Sequence, residues 1–453
     1  VATVLALPFL LDRLFLAGLR IPLNYNEGWN AYHTLRVMRG GSLYPPLDGL
    51  VVNNYPPLSF LVVAGVGGIV PDLVFAGRLV ATVSFAVVVL NIGLIVRTLT
   101  RSGAAGAFGA ALFMAMFAIF CGRYIGMDDP QMLAHALMTT ALLVCVRRWE
   151  SRPAIIGALL LMLAAGLTKH NLVALPLALV ATSFMMSARR GWAILATGAG
   201  LVALGVGLLV LAFGRIALAS LVVPRSWSAF DAAASAGQWM LPMAPLLALL
   251  LLALWWRPVT GPDRLVVCYA LVAIPVALLL AGGAGVRENI WFDLLIASTI
   301  VATVTVTRLL SHGSTALPLA LCVAPAIGVL PALPSLKWRW VDGNVAAQRQ
   351  ATRQDVARLA AGGAPALCEM LSLCYWAGVP EEADLFNADQ GFRTGRLTPS
   401  LLEGPLSEGR FRIVQLGPSS AASERWSAAL DSVLLSRYRL EATSANGRIF
   451  VPR

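Results

Sequence analysis

The stretch "LSFLVVAGVGGIV", residues 58–70, decides how the rest of the chain is laid out. It is apolar apart from Ser59, follows the double proline Pro56–Pro57 and stops at Pro71. As a helix it would reach about 20 Å at 1.5 Å per residue, short of a hydrocarbon core of about 30 Å. It therefore reads as an interfacial or re-entrant helix, not as a membrane span.

The segments around it do read as spans. The chain has 453 residues, of which 13% are charged, and a mean hydropathy of +0.76. A soluble protein would be about a quarter charged. Apolar runs fall at 1–19, 73–97, 104–121, 130–147, 154–168, 171–187, 192–213, 241–256, 265–283, 291–308 and 315–333. The expected fold class is thus a polytopic α-helical membrane protein with about eleven spans plus juxtamembrane helices. Several runs are shorter than about 20 residues, so some of their ends must lie in protein or in the interface. No basic segment precedes the first run, and no cleaved leader is assigned.

With 58–70 not spanning, the loops near 97–103, 147–152, 188–191, 257–264 and 308–314 share one side. They carry ten arginines against Glu150 and Asp263. Such a bias marks the cytoplasmic face, and it accounts for the net charge of +11 without invoking nucleic acid. The loops at 20–72, 122–129, 214–240 and 284–290 are then expected outside, together with everything after about residue 334. This layout puts Glu27 and the pair Asp128–Asp129 on the same face.

The division expected is a membrane domain, 1–333, and a small soluble α/β domain, 334–453. The latter has regular charges and turn signals such as "GVPEE". Residues 344–362 read as an amphipathic helix, and "FRIVQLG" (411–417) and "RIFVP" (448–452) as strands. Cys121, Cys145, Cys268 and Cys322 lie in or beside apolar runs, as small hydrophobes. Cys368 and Cys374 could pair if their region faces an oxidising compartment. No cysteine and histidine spacing resembles a zinc site.

Chemistry concentrates at the outward ends. Glu27 sits in "NYNEGWNAYHTLRVMRGG" (24–41), a lone acid among Trp29 and Tyr32 directly after the first apolar run. Taken alone it could be a solvated loop acid. "GRYIGMDDPQML" (122–133) places Asp128 and Asp129 before Pro130; one of them suffices to cap the next helix. "GLTKHNLVALPLAL" (166–179) holds Lys169, one of only two lysines beside thirty-two arginines, next to His170. Lys169 could simply snorkel to the interface, or wait for a phosphate. "GGAGVRENIWFD" (282–293) adds Arg287 and Asn289. A carboxylate can accept a hydroxyl proton, cations can stabilise a departing phosphate, and rings such as Trp29, Tyr32, Tyr44 and Tyr55 can hold a sugar or a lipid. Together they suit group transfer from a lipid-phosphate donor.

In their order, "NYNEGWNAY", "YPPLSFLVV", "GMDDP", "LTKHN", "RENIWFD" and a terminal soluble domain resemble the bacterial GT-C glycosyltransferases, which include the protein mannosyltransferases and aminoarabinose transferases. The resemblance implies a polyprenyl-phosphate sugar donor and an inverting transfer to a cell-envelope lipid, polysaccharide or protein at the outer face of the inner membrane. It puts Glu27 at the base position, where many relatives have Asp, and the second acid at Asp128 or Asp129. Lys169 and Arg287 would bind the donor phosphate. Trp29, Tyr32, Tyr55, His170 and Asn289 would contact substrate, although "RENIWF" departs from the Asn-Tyr-Phe run of other members. A divalent metal is compatible with the acid pair, but a monophosphate donor does not require one. The alternative reading is a transporter or flippase of a lipid-linked sugar. That reading would call for inverted repeats and charged, broken helices at the bilayer midplane; the polar groups lie instead at the outer boundary.

Overall fold

The computed structural model describes residues 2–255, 260–311, 325, 328–418 and 428–453. Ten of the eleven apolar runs coincide with helices: α1 (Ala2–Ala17), α4 (Leu73–Thr100), α5 (Gly103–Phe120), α6 (Gln131–Arg147), α7 (Arg152–Thr168), α8 (Ala174–Met186), α9 (Ala188–Phe213), α11 (Ala229–Trp255), α12 (Gly261–Ala281) and α13 (Phe292–Ser311). Six helical segments are long and apolar enough to cross a membrane. The eleventh run, 315–333, lies largely outside the described residues, as does Cys322. Between α1 and α4 come α2 (Asn26–Met38) and the ten-residue α3 (Leu58–Gly67), which matches the short helix expected from 58–70. A short α10 (Arg215–Leu221) follows α9.

Local chemistry sets the helix ends. Asp72 caps α4 by accepting from the Val74 and Phe75 amides, and Thr260 with Asp263 forms a capping box on α12. α11 begins twelve residues before the apolar run at 241–256, because its first turns carry Asp231, Ser235 and Gln238, which are compatible with helix though not with lipid. The segment from Glu288 through α13 is the centre of the bundle, with 94% of its most apolar window buried; α9, at 17%, is on the periphery. Phe117 of α5 and Phe292 of α13 meet with ring centroids 4.7 Å apart, inside the main apolar cluster.

The C-terminal residues form a four-stranded sheet, in the order β1 (Ala366–Cys368), β2 (Ile413–Leu416), β4 (Gly447–Pro452), β3 (Tyr438–Ser444). β1 runs parallel to β2; the other pairings are antiparallel. β2, β4 and the helix Asn344–Gly362 fall where the sequence placed them. β1 and β3 were not anticipated: β1 is three residues long, and β3 is mostly exposed, so neither shows a clear apolar alternation. Alternate residues split the sheet faces. Ile413 and Ile449 join a cluster with Trp29, Tyr32 and Leu371, whereas Val414 and Phe450 pack with Leu402 and Leu434.

The first of those clusters fastens α2 to the C-terminal region. Cys368 and Cys374 form a disulfide, and the helix Leu371–Trp376, which carries Cys374, lies directly on α2. A Cβ on Gly28 would stand 2.0 Å from the Ser372 amide nitrogen and 2.1 Å from the Leu371 carbonyl carbon. Backbone atoms cannot swing aside. Gly28→Ala is therefore expected to lower stability by about 1–3 kcal/mol, the usual cost of overpacking, read as a drop in the unfolding midpoint in detergent.

Farther along α2, Arg36 Nη2 donates to Glu381 Oε2 at 3.0 Å, while Glu381 Oε1 is buried without a partner among the described residues. Burial pushes the Glu381 carboxyl up to about 7, against the pull of Arg36 and with Asp384 adding to the rise. The folded chain keeps this proton where the unfolded chain, with a value near 4.5, has lost it. Stability should therefore fall as pH rises from about 4.5 to about 7 and then level off. Glu381→Gln should flatten that slope in a pH series of unfolding midpoints.

Candidate active site

The site begins with the chain leaving α1. Three carbonyls at that helix end, those of Ala17, Leu19 and Ile21, accept hydrogen bonds from Arg78 of α4. The same guanidinium grips Glu27 as a fork: Nε donates to Oε1 and Nη2 to Oε2, each at 2.7 Å. Leu23 N adds a bond to Oε2 at 2.8 Å, and Asp128 N a longer one to Oε1 at 3.3 Å. Glu27 is wholly buried and Arg78 nearly so. The acid is thus neither a loop acid nor free: four donors occupy its two oxygens.

Asn30, one turn further along α2, donates to the Asp128 carbonyl at 2.6 Å. The Asp128 carboxylate lies flat against α4 where Gly77 leaves room; a Cβ there would fall 2.0 Å from Oδ1. Asp128 Oδ2, Asn30 Oδ1 and Ser59 Oγ are buried without partners among the described residues. All three residues line a cavity of about 10 Å³, room for about one water. Burial, with Glu27 and Asp129 close by, holds the Asp128 carboxyl well above the usual carboxylate range.

Asp129 borders the same cavity but has other partners. Its Oδ1 accepts from the Gln131 amide at 2.8 Å, starting α6, and from Lys169 Nζ at 3.3 Å. Its Oδ2 makes no hydrogen bond among the described residues. Lys169 Nζ also stands 4.1 Å from the centroid of the Tyr55 ring. Burial alone would lower the lysine's pKa, but Asp129 and Tyr55 more than offset it, so the value is raised and the ammonium form is favoured.

A polar chain runs on from Asp129. Gln131 Oε1 accepts from Asn289 Nδ2 at 3.0 Å, and Asn289 Oδ1 accepts from the Arg287 amide at 3.3 Å. Gln131 Nε2 meets His135 Nε2 at 2.9 Å; His135 Nδ1 is 3.6 Å from Asp293 Oδ1, which also accepts from the Tyr269 hydroxyl. The Arg287 side chain is exposed and lines a cavity of about 750 Å³ with Arg123, Asp231, Gln238, Glu288 and Gln390. A smaller cavity of about 20 Å³, lined by Trp29, Asn54, Tyr55 and Arg225 among others, shares Tyr25, Gly285 and Phe386 with the large one. His170 is exposed, within electrostatic reach of Lys169 and Arg225.

Glu27, Asp128, Asp129, Lys169, Tyr55 and Asn289 are therefore gathered in one network, and Arg287 joins it through its backbone. Trp29 lines the small cavity and donates to the Val52 carbonyl. Tyr32 does not reach either cavity's lining; it is buried, bonded to the Val379 carbonyl and packed on Tyr375. Arg78, Gln131, His135 and Asp293 escaped the sequence reading. Their signal was there, since each is a polar or ionisable residue inside an apolar run, where such residues are functional candidates by default. Among the described residues no group of three or more His, Cys, Asp and Glu side chains could hold a metal ion.

These elements define a polytopic helical protein with a polar network at one end of its bundle and a small C-terminal sheet. No family model and no curated protein matches the sequence. Among solved structures, ArnT from Cupriavidus metallidurans in the apo state is 15% identical with a TM-score of 0.61, covering 99% of this chain and 97% of that one. The same protein bound to undecaprenyl phosphate is 14% identical with a TM-score of 0.62, over 99% and 98%. The archaeal oligosaccharyltransferase AglB from Archaeoglobus fulgidus, in complex with an inhibitory peptide and a dolichol-phosphate, is 11% identical with a TM-score of 0.51, over 99% and 74%. The chain has the ArnT fold along nearly its whole length, the fold that the GT-C resemblance implied.

Proposed function

We propose that the protein is an inverting membrane glycosyltransferase that moves a sugar from a polyprenyl-phosphate carrier to a cell-envelope acceptor. The observation that carries this reading is the convergence of three acids and Lys169 in one buried network, joined through Gln131 and Asn289 to Arg287 at an open polar cavity, in a fold shared with a protein bound to undecaprenyl phosphate. In this reading the donor phosphate draws on Lys169 and Arg287, and the acceptor enters the large cavity. Lys169 shifts from Asp129 toward the phosphate, which frees Asp129. The acid that takes the acceptor proton is then Asp129: like Asp128 it keeps an unbonded oxygen, but it is the one that Lys169 holds and releases; Glu27, bound by four donors, holds the first loop, α4 and the Asp128 loop together. One displacement with one base inverts the anomeric centre. Trp29, Tyr55 and His170 edge the sugar path, and Asn289 sets Arg287.

About eleven spans, a membrane domain at 1–333 and an outward-facing domain at 334–453 belong to the same proposal. The arginine bias of the alternate loops and the Cys368–Cys374 disulfide support an extracytoplasmic site. The test is transfer of sugar from synthetic polyprenyl-phosphate sugars by the purified chain in proteoliposomes, with Lys169→Ala alongside. Product formation that falls with Lys169→Ala is the expected result. Movement of the intact lipid-linked sugar across the bilayer with no transfer would overturn it in favour of a flippase.

A further inference from the structure

Three polar side chains stand inside apolar helices of the bundle: Gln131 and His135, four residues apart on one face of α6, and Tyr269 of α12. All three are buried, and Asp293, in the first turn of α13, is buried with them. The proposed transfer gives none of these four a step of its own.

The donors and acceptors of the chain they form allow one arrangement. It starts at the Arg287 amide, which can only donate, so the atom of Asn289 that it meets at 3.3 Å is Oδ1. The other branch of that side chain, Nδ2, must then donate, and it meets Gln131 Oε1 at 3.0 Å. That leaves Gln131 Nε2 to donate to His135 Nε2 at 2.9 Å. An imidazole nitrogen that accepts carries no proton, so the ring is neutral and its one proton sits on Nδ1. Nδ1 lies 3.6 Å from Asp293 Oδ1 and has no hydrogen-bond partner among the described residues. The Asp293 carboxylate, which also accepts from the Tyr269 hydroxyl, ends the chain as its final acceptor. A His135 ring with a proton on Nε2 would set two donors face to face. Turning the Gln131 amide over would only move the conflict to Asn289 Nδ2.

Gln131 has two attachments in this arrangement. Its main-chain amide donates to Asp129 Oδ1 at 2.8 Å, and its side chain holds Asn289. Asn289 belongs to the tight turn Glu288–Trp291, and Arg287 stands directly before that turn with its exposed side chain at the large cavity. Neighbours fix the two ends of the turn, Glu288 by Arg123 at 2.7 Å and Trp291 Nε1 by Ser235 Oγ at 3.0 Å. The Asn289 side chain reaches back from its middle to the Arg287 amide.

We propose that Gln131 and His135 are positioning residues for Arg287. The one-way chain that ends on Asp293 fixes the Gln131 amide, and Gln131, through Asn289, seats Arg287 at the cavity. The role rests on the reading in which Arg287 binds the donor phosphate; the direction of the chain does not.

The experiment has three readouts on the full chain in detergent: the nitrogen-15 spectrum of labelled histidines, hydrogen exchange of the segment 282–291, and kinetics with a synthetic polyprenyl-phosphate sugar. The chain has four histidines, so the His135 signals are assigned by their loss in His135→Phe. Neutral His135 with its proton on Nδ1 is the expected result near neutral pH; a proton on Nε2 would overturn the proposal. Gln131→Leu removes the bond to Asn289. Exchange of the segment should quicken, and the donor KM should rise about two- to tenfold, the usual worth of one hydrogen bond, with kcat nearly unchanged. Gln131→Glu keeps an acceptor for Asn289 but asks His135 Nε2 for a proton. The donor KM should then stay near its original value while the His135 signals move to the doubly protonated form. Should Gln131→Leu not fold, Asn289→Ala carries the same test from the turn itself, with the same rise in KM. A folded Gln131→Leu with exchange and KM unchanged would sink the proposal. So would a fall in kcat alone, since Gln131 would then act on Asp129 through its main chain. If the purified chain transfers no sugar, the transferase reading fails, while the spectrum and the exchange still decide the chain.

Discussion

Arg78→Met should destabilise the fold by about 3–5 kcal/mol, the usual cost of removing one partner from a buried ion pair. Methionine fills much of the volume, so the loss is electrostatic. Glu27 would be left buried with two of its four donors gone, and the carbonyls of Ala17, Leu19 and Ile21 would lose their common donor. These carbonyls close α1, and a cation at a helix C-terminus also favours its dipole. A double variant, Arg78→Met with Glu27→Gln, should recover part of the loss, because no net charge is then left uncompensated. The check is a double-mutant cycle of unfolding midpoints in detergent. Additive losses would mean that the two side chains do not hold each other.

Asp129→Asn should lower turnover by about 10²–10⁴-fold, the usual contribution of positioned acid–base catalysis. Asparagine caps a helix about as well as aspartate, so the Gln131 amide keeps its acceptor and α6 keeps its start. What is lost is the charge beside Lys169 and the ability to take a proton. Lys169, no longer shared with Asp129, should hold the donor phosphate at least as well as before. The expected result is therefore a fall in kcat with no rise in KM for the donor, a split that mere loosening of the loop would not give. If Asp129→Asn kept near-normal turnover while a folded Glu27→Gln lost it, the base would be Glu27.

Much of the architecture was legible because membrane insertion depends on composition and length. A run such as 73–97 is apolar enough to need a bilayer or a core, and 58–70 is too short to cross one; both facts hold whatever the neighbours are. Residues 344–362 and 411–417 were legible for a similar reason, since period and alternation are local. The same locality hid β1, too short to show a pattern, and β3, whose exposed side chains need not alternate. It also cut α11 short, because helix and apolarity part company in its first turns.

The acids show where local reading stops. The sequence placed Glu27, Asp128 and Asp129 on one face, which follows from counting spans. It could not say which oxygen is free, since that depends on partners far away in the chain. Arg78 is 51 residues from Glu27, and the Asp128 amide is 101 residues from it. Gly77 admits the Asp128 carboxylate only because α4 passes within contact of that loop, and Lys169 occupies one oxygen of Asp129. Tyr32 has the composition of a sugar platform, yet packing of α2 on the disulfide-closed helix buries it. The sequence by itself determined the membrane character, the order of the helices and the company of acids and cations, because those are properties of runs and counts. Only the tertiary structure decided which acid is held and which is left open, because a carboxylate's role is set by the donors that reach it through space.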